Sequence, residues 1–484
     1  MTRSARIDGS PRAGEAPRRL HRVGERVADA LGLREEELTG LTTTPNLPHW
    51  ESHLRVGELA YDSAALSSLA ITLVAADRAG REARESSISP APARIQASYG
   101  SERLFRMDGE ALPIWSPLSG FWRVADGWVR THGNYPHHAQ RLTRLLGVAR
   151  DADRSEVETA MRAWGRIDLE DRAAEAGALV FAVRSAAEWR RHPHRAALAE
   201  SPVVGFARVG EAPARPWKPE EIRPLAGIRV LDLTRVIAGP VATRDLAIAG
   251  ADVLRVDSPR LPEHAFQHFD TGQKKRSALL DLTGSDDLDT LQRLLATADV
   301  VVHGYRPAAL ERFGLDADSL IRRFPGIVVA QLSAWGTDGP WGTRRGFDSI
   351  VQAATGISLL ESRDEGTTPG ALPVQALDHS TGHFLAASIA TALREQRARG
   401  GSFRIDISLA RIADELLAEG AADDSAGLGG AVALPTQVVP VLRSADGDPA
   451  TITCAMPFLD FPGAPREYPS PVHPWGSDRA VWID

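Results

Sequence analysis

Between residues 225 and 333 short apolar runs alternate with amphipathic stretches. "IRVLDL" (228–233), "DVLRVD" (252–257), "SALLDL" (277–282), "DVVVHG" (299–304) and "GIVVAQLS" (326–333) are apolar over nearly their whole length and rich in β-branched residues. Such runs predict strands buried on both faces. Between them, "VATRDLAIAG" (241–250) predicts a short helix that stops at Gly250. "DDLDTLQRLLATA" (286–298) and "ADSLIRRF" (317–324) predict two more helices. Strands alternating with helices imply an α/β fold: a Rossmann-like large domain built on a parallel sheet. Ligands of such sheets sit beyond the carboxyl ends of the strands.

The pattern changes on either side of this unit. "VGEAPARPWKPEEIRP" (209–224) carries four prolines and reads as a linker. Residues 101–208 combine a β segment, "GFWRVADGWVRTHG" (120–133), with helical stretches and read as a smaller α+β domain. The large domain runs over 225–425, and the Gly- and Pro-rich residues 426–484 read as an extended tail over a surface. Residues 1–19 read as a disordered tail. Residues 20–100 hold a faint repeat: "YDSAALSSLAITLVAADR" (61–78) laid on "LDHSTGHFLAASIATALR" (377–394) pairs Asp62 with Asp378.

Composition narrows the function classes. A formal net charge of -7 gives no basic excess with which to neutralise nucleic-acid phosphates. The single cysteine, Cys454, excludes a disulfide framework within the chain and a CxxC zinc pair. No uninterrupted apolar run reaches the ~18 residues of a membrane span, and the arginine-bearing start has no apolar core behind it. The expectation is a cytoplasmic protein without a membrane segment.

Four stretches are candidates for chemistry. The turn "DLTRVIAGP" (232–240) joins a strand to a helix whose free N–H groups favour anions, although Gly239 and Pro240 equally suit a plain tight turn. It lacks the G-x-G-x-x-G of dinucleotide folds. Lys274, Lys275 and Arg276 form a solvated face unless a phosphate lies beside them. His379 and His383 share a helix face, but without an HExxH they read as packing residues rather than metal ligands. Asp378 precedes an Ala-rich helical run. It is a natural N-cap, and the same helix terminus would keep it ionised as a nucleophile, with Gly382 opening the backbone to a ligand.

In order along the chain, "LAGIRVLDLTRVIAGPVATRDLAIAGADVLRVD", "KKRSALLDL", "ADVVVHGYRPAALERFGLD", "LSAWGTDGPWGTRRGFDSIVQAATG" and "ALDHSTGHFLAASIATAL" resemble the family III CoA-transferases. That family includes formyl-CoA and carnitine CoA-transferases and, more distantly, α-methylacyl-CoA racemase. The resemblance implies that Asp378 is the catalytic aspartate of a covalent aspartyl route. It implies that Arg235, Val236, Ile237 and Ala238 contact CoA, together with Tyr305, Arg312 and Arg345. Coenzyme A and acyl-CoA would be substrates alongside a carboxylic acid, with no permanently bound cofactor or metal. Relatives interlock, so a homodimer is expected.

Two departures stand out. His303 and Gly304 replace the family's Glu-Asn, and Phe347 stands where racemases carry a catalytic His, which favours transfer. The small-domain text lies before the large domain, as in a trimmed tandem fusion. Asp62 lacks a preceding CoA loop and carries no expected catalysis. The alternatives are an acyl-CoA racemase or isomerase and a non-catalytic CoA-binding partner.

Overall fold

In a computed structural model of the chain, residues 19–42, 46–81, 87–220, 222–306, 309–364, 366–422, 433–442 and 449–483 are described. All but Arg19 of the expected tail 1–19 falls outside them. The centre is a 7-stranded sheet. In spatial order its strands are Gly205–Arg208, Phe403–Ser408, Val328–Ser333, Val300–His303, Arg229–Leu233, Asp252–Asp257 and Arg276–Leu279. Only the edge strand Gly205–Arg208 runs antiparallel to its neighbour.

The chain enters this sheet in the middle, at Arg229–Leu233. It moves outward through Asp252–Asp257 and Arg276–Leu279, then crosses back to Val300–His303 and proceeds the other way. That reversal is the doubly wound order, and it opens a crevice beyond Leu233 and His303. The α/β expectation holds for this sheet. The edge strand Gly205–Arg208 and the last parallel strand Phe403–Ser408 escape the sequence pattern. The former is a half-exposed "GFAR", and the latter, "FRIDIS", alternates instead of running apolar.

The small α+β unit has its own core. Strands Gly120–Val124, Gly127–Thr131 and Val180–Ala182 form an antiparallel sheet, with Trp122, Val129, Leu142, Val157 and Leu169 packed beneath it. Residues 20–100, in contrast, share one continuous core with the large sheet. Helix Val56–Ala79 packs along helix Ala376–Arg399, and both are 24 residues long. Small and apolar residues surround each helix on every side, as suits a helix buried all round.

Helix Val56–Ala79 corrects one expectation. It is long and apolar enough to cross a membrane by length and composition, yet its apolar 18-residue window is wholly buried inside the protein. Asp62 and Asp378 also sit at different heights: Asp62 is the seventh residue of its helix and Asp378 the third. The chain's end adds strands Thr436–Pro440 and Thr451–Ala455, which pair with each other and with Arg106–Met107. It then crosses the sheet's far edge, where Trp475 Nε1 donates to Asp257 (3.0 Å) and Trp482 Nε1 to the Leu294 carbonyl (3.1 Å).

Candidate active site

The crevice at the reversal is a cavity of ≈ 340 Å³. Its floor is the loop after Leu233. Val236 holds φ +73°, a conformation that costs a β-branched residue roughly 1–3 kcal/mol and marks a loop held for use. Glu263 enforces it by accepting the Val236 N–H (3.2 Å), Arg235 (3.2 Å), Arg255 (2.9 Å) and the Tyr135 hydroxyl (2.5 Å). Burial pushes the Glu263 carboxyl up, but Arg255 and Arg235 overcome it and hold the group at about 2. Arg235 thus lines the cavity as a committed ion-pair partner, its guanidinium 5.0 Å over the Tyr135 ring.

Val236, Ile237, Ala238, Tyr305 and Arg345 all line this cavity. Burial raises the Tyr305 hydroxyl to about 12. Burial, then Arg306 and Arg141, lower Arg345 to about 10. Arg306 and Arg345 have no ion-pair partner among the described residues, so two guanidiniums face this space uncommitted.

Two sequence expectations fail here. Arg312 is exposed on the short turn Glu311–Phe313 with its guanidinium over Phe313, and it lines neither cavity that meets Asp378. The Lys274–Arg276 run is not a phosphate seat. Lys275 is buried beneath the loop, donating to the Pro240 carbonyl (2.7 Å) and Thr243 (2.6 Å) and paired with Asp232 (3.3 Å). Burial lowers it to about 8. Arg276 pairs with Asp252 (2.8 Å), and Lys274 is exposed.

Asp378 lies in the first turn of helix Ala376–Arg399, whose N-cap is Gln375. It caps nothing. The residue is 7% exposed, at the wall shared by the ≈ 340 Å³ cavity and a second of ≈ 50 Å³. Asp348 performs the cap from outside: it accepts the Asp378 N–H (2.9 Å) and is gripped by Gln352. The expected ionisation at the helix terminus is reversed. Burial, then Asp348, then Glu102 hold the Asp378 carboxyl well above the ordinary range. Burial places Asp348 itself at about 6, because the helix N–H groups and Gln352 offset part of the cost.

The neighbouring histidines have separate carboxylate partners. His379 Nε2 lies 3.3 Å from Glu102, and His383 Nδ1 lies 2.8 Å from Asp245. Gly382 faces the Ala238 carbonyl and Val241 rather than a ligand. Asp62 accepts the N–H groups of His21 and Gly24 (both 3.0 Å) and so caps helix Arg22–Ala30 from a distance. Burial raises the Cys454 thiol to about 12, which leaves it inert.

Sequence reading missed the upstream contribution. Tyr135, His137 and His138 line the larger cavity, and Trp115, His132 and Asn134 line the smaller. The polar cluster "HGNYPHH" at a strand end was the available signal. His132 stacks on Phe347, ring centroids 3.7 Å apart and 2° from parallel.

Residues 225–436 match the sequence model of CoA-transferase family III. An acetyl-coenzyme A transferase, nodX, of Hypoxylon pulicicidum is 38% identical over 202 residues, 41% of this chain and 34% of the relative. An acyl-CoA transferase of Gibberella moniliformis is 32% identical over 323 residues, 61% and 56% of the two chains. A succinate–glutarate CoA-transferase of Agrobacterium fabrum is 31% identical over 219 residues, 41% and 54%. The matches span from about a third to just over half the length of these relatives.

Proposed function

From a chain whose residues 225–436 carry the CoA-transferase family III unit, we infer an enzyme that moves coenzyme A from an acyl-CoA thioester to a carboxylic acid. One observation carries this reading: Asp378 stands on the wall common to two cavities. The larger offers two uncommitted arginines and a strained backbone loop, which suit phosphates and a pantetheine arm. The smaller suits the acyl end.

The Asp378 carboxylate attacks the thioester carbonyl, and the carbon–sulfur bond breaks to release CoA thiolate and leave a mixed anhydride. The thiolate attacks the aspartyl carbonyl. The first acid departs as a carboxylate and CoA remains as an aspartyl thioester. The second acid reverses these steps, so thioester energy is conserved through a covalent route. The names of the relatives, acyl-CoA transferase and succinate–glutarate CoA-transferase, support a carboxylic-acid acceptor.

The test is incubation with acyl-CoAs and free acids, with exchanged thioesters read by mass. Hydroxylamine added during turnover should modify Asp378. No exchange across a broad acid panel sinks the reading.

A second reading, proton exchange at the carbon next to the thioester, rests on His132. Burial and Arg130 lower its imidazole to about 3, so it is neutral, and it lines the small cavity with Asp378. Deuterium entering acyl-CoA in heavy water without an acid acceptor would favour it.

A further inference from the structure

The small cavity beyond Asp378 does not end there. Arg103, on the short helix Ser101–Leu104, lines both that cavity and a third of ≈ 1570 Å³. Leu372 and Pro373 on the third cavity's wall continue directly into Val374 and Gln375 on the wall of the small one. Of the other arginines on the third cavity's wall, Arg195 holds Asp414 at 3.0 Å and Arg363 lies 4.0 Å from Glu51, while Arg190 is exposed with no ion pair among the described residues; Arg103 is the one arginine of this wall that also lines the small cavity. Arg103 is exposed at the neck, and among the described residues its guanidinium has neither an ion pair nor a hydrogen bond. An uncommitted guanidinium presents a fork that matches a carboxylate.

We propose that this neck is the route by which carboxylic acids reach and leave Asp378, separate from the CoA cavity, with Arg103 binding the acid's carboxylate. The proposal rests on the transferase reading, whose chemistry calls for such a route. When thiolate attacks the aspartyl carbonyl, the anhydride carbon–oxygen bond breaks and the first acid leaves with the electron pair. CoA stays bonded to Asp378 and still occupies the ≈ 340 Å³ cavity. An acid that shared this cavity's mouth would have to pass the bound nucleotide. A second opening lets one acid depart and the next enter while CoA remains in place.

The test is a split of kinetic constants. Arg103→Gln should raise the KM of the acceptor acid about ten-fold or more while the KM of acyl-CoA stays within about two-fold. Arg103→Lys keeps the charge and should recover most of the loss. Ala371→Trp, at an exposed position on the third cavity's wall, should slow release of the first acid in a single turnover without weakening CoA binding. If Arg103→Gln and Ala371→Trp leave the acid's constants unchanged, or alter both substrates equally, the separate route is wrong. If the unsubstituted protein exchanges no acids at all, the transferase reading has failed instead.

Discussion

Asp378 gains its character from groups distant in sequence. Burial and the carboxylates of Asp348 and Glu102 disfavour its anion, so the charge needed for attack is held at a cost. Asp378→Asn keeps the shape and removes the charge. Transfer should fall by about 10³-fold or more while acyl-CoA binding survives. The linkage sign is definite. The folded pKa is raised, so Asp378 contributes stability that is full below the unfolded value of about 4 and is lost as pH rises through the folded pKa. The asparagine variant lacks this loss. Melting curves should therefore show it increasingly more stable than the parent as pH rises, with the two converging below about pH 4. At the neighbouring cavity the arginines discriminate between sequence resemblance and geometry. Arg306→Gln should raise the acyl-CoA KM about ten-fold, and Arg312→Gln should change it less than about two-fold. Equal effects would return Arg312 to the site.

Two helices and a loop are locked at Gly382. A Cβ there would stand 2.5 Å from the Ala238 carbonyl oxygen and 2.9 Å from Val241 Cβ. Both belong to helix Ala238–Ile248, which follows the strained loop. Backbone cannot retreat as a side-chain tip can. Gly382→Ala should destabilise the protein by about 1–3 kcal/mol and should also weaken acyl-CoA binding, because Ala238 lines the cavity. Denaturant melts and a KM measurement check both parts. An alanine variant with parental stability would mean the helices separate freely. The glycine suggests ligand access when read along the chain, but it is a contact between two helices.

Over the whole molecule, distant parts of the chain meet at the two cavities beside Asp378. The upstream α+β unit brings Tyr135, His137 and His138 to the larger cavity and Trp115 and His132 to the smaller. Helix Val56–Ala79 shares the core of the large sheet. With these walls supplied by one chain, the expectation is a site that works without a residue from a second copy. Specific activity should be independent of protein concentration across a dilution series that light scattering shows to cross any dimer dissociation. A loss of activity on dilution would mean that a partner completes the site.

The sequence by itself determined the α/β class, the likeness of residues 225–436 to CoA-transferase family III and the position of Asp378. Near-continuous apolar runs specify buried parallel strands through local burial alone, and five ordered motif blocks are a property of the chain's order. Strand "FRIDIS" was illegible because it alternates on a partly polar face. Only the tertiary structure decided what surrounds the aspartate. Lys275 reads as a surface cation beside Lys274 and Arg276, yet the fold buries it on Asp232. Arg306 and Arg312 read alike in "GYRPAALERFG", and the turn after Val300–His303 sends only Arg306 to the cavity. The raised pKa of Asp378 depends on Asp348 and Glu102, which no local pattern places beside it. Secondary structure follows from neighbours in sequence. Electrostatics and cavity walls follow from neighbours in space, which packing chooses after the elements have formed.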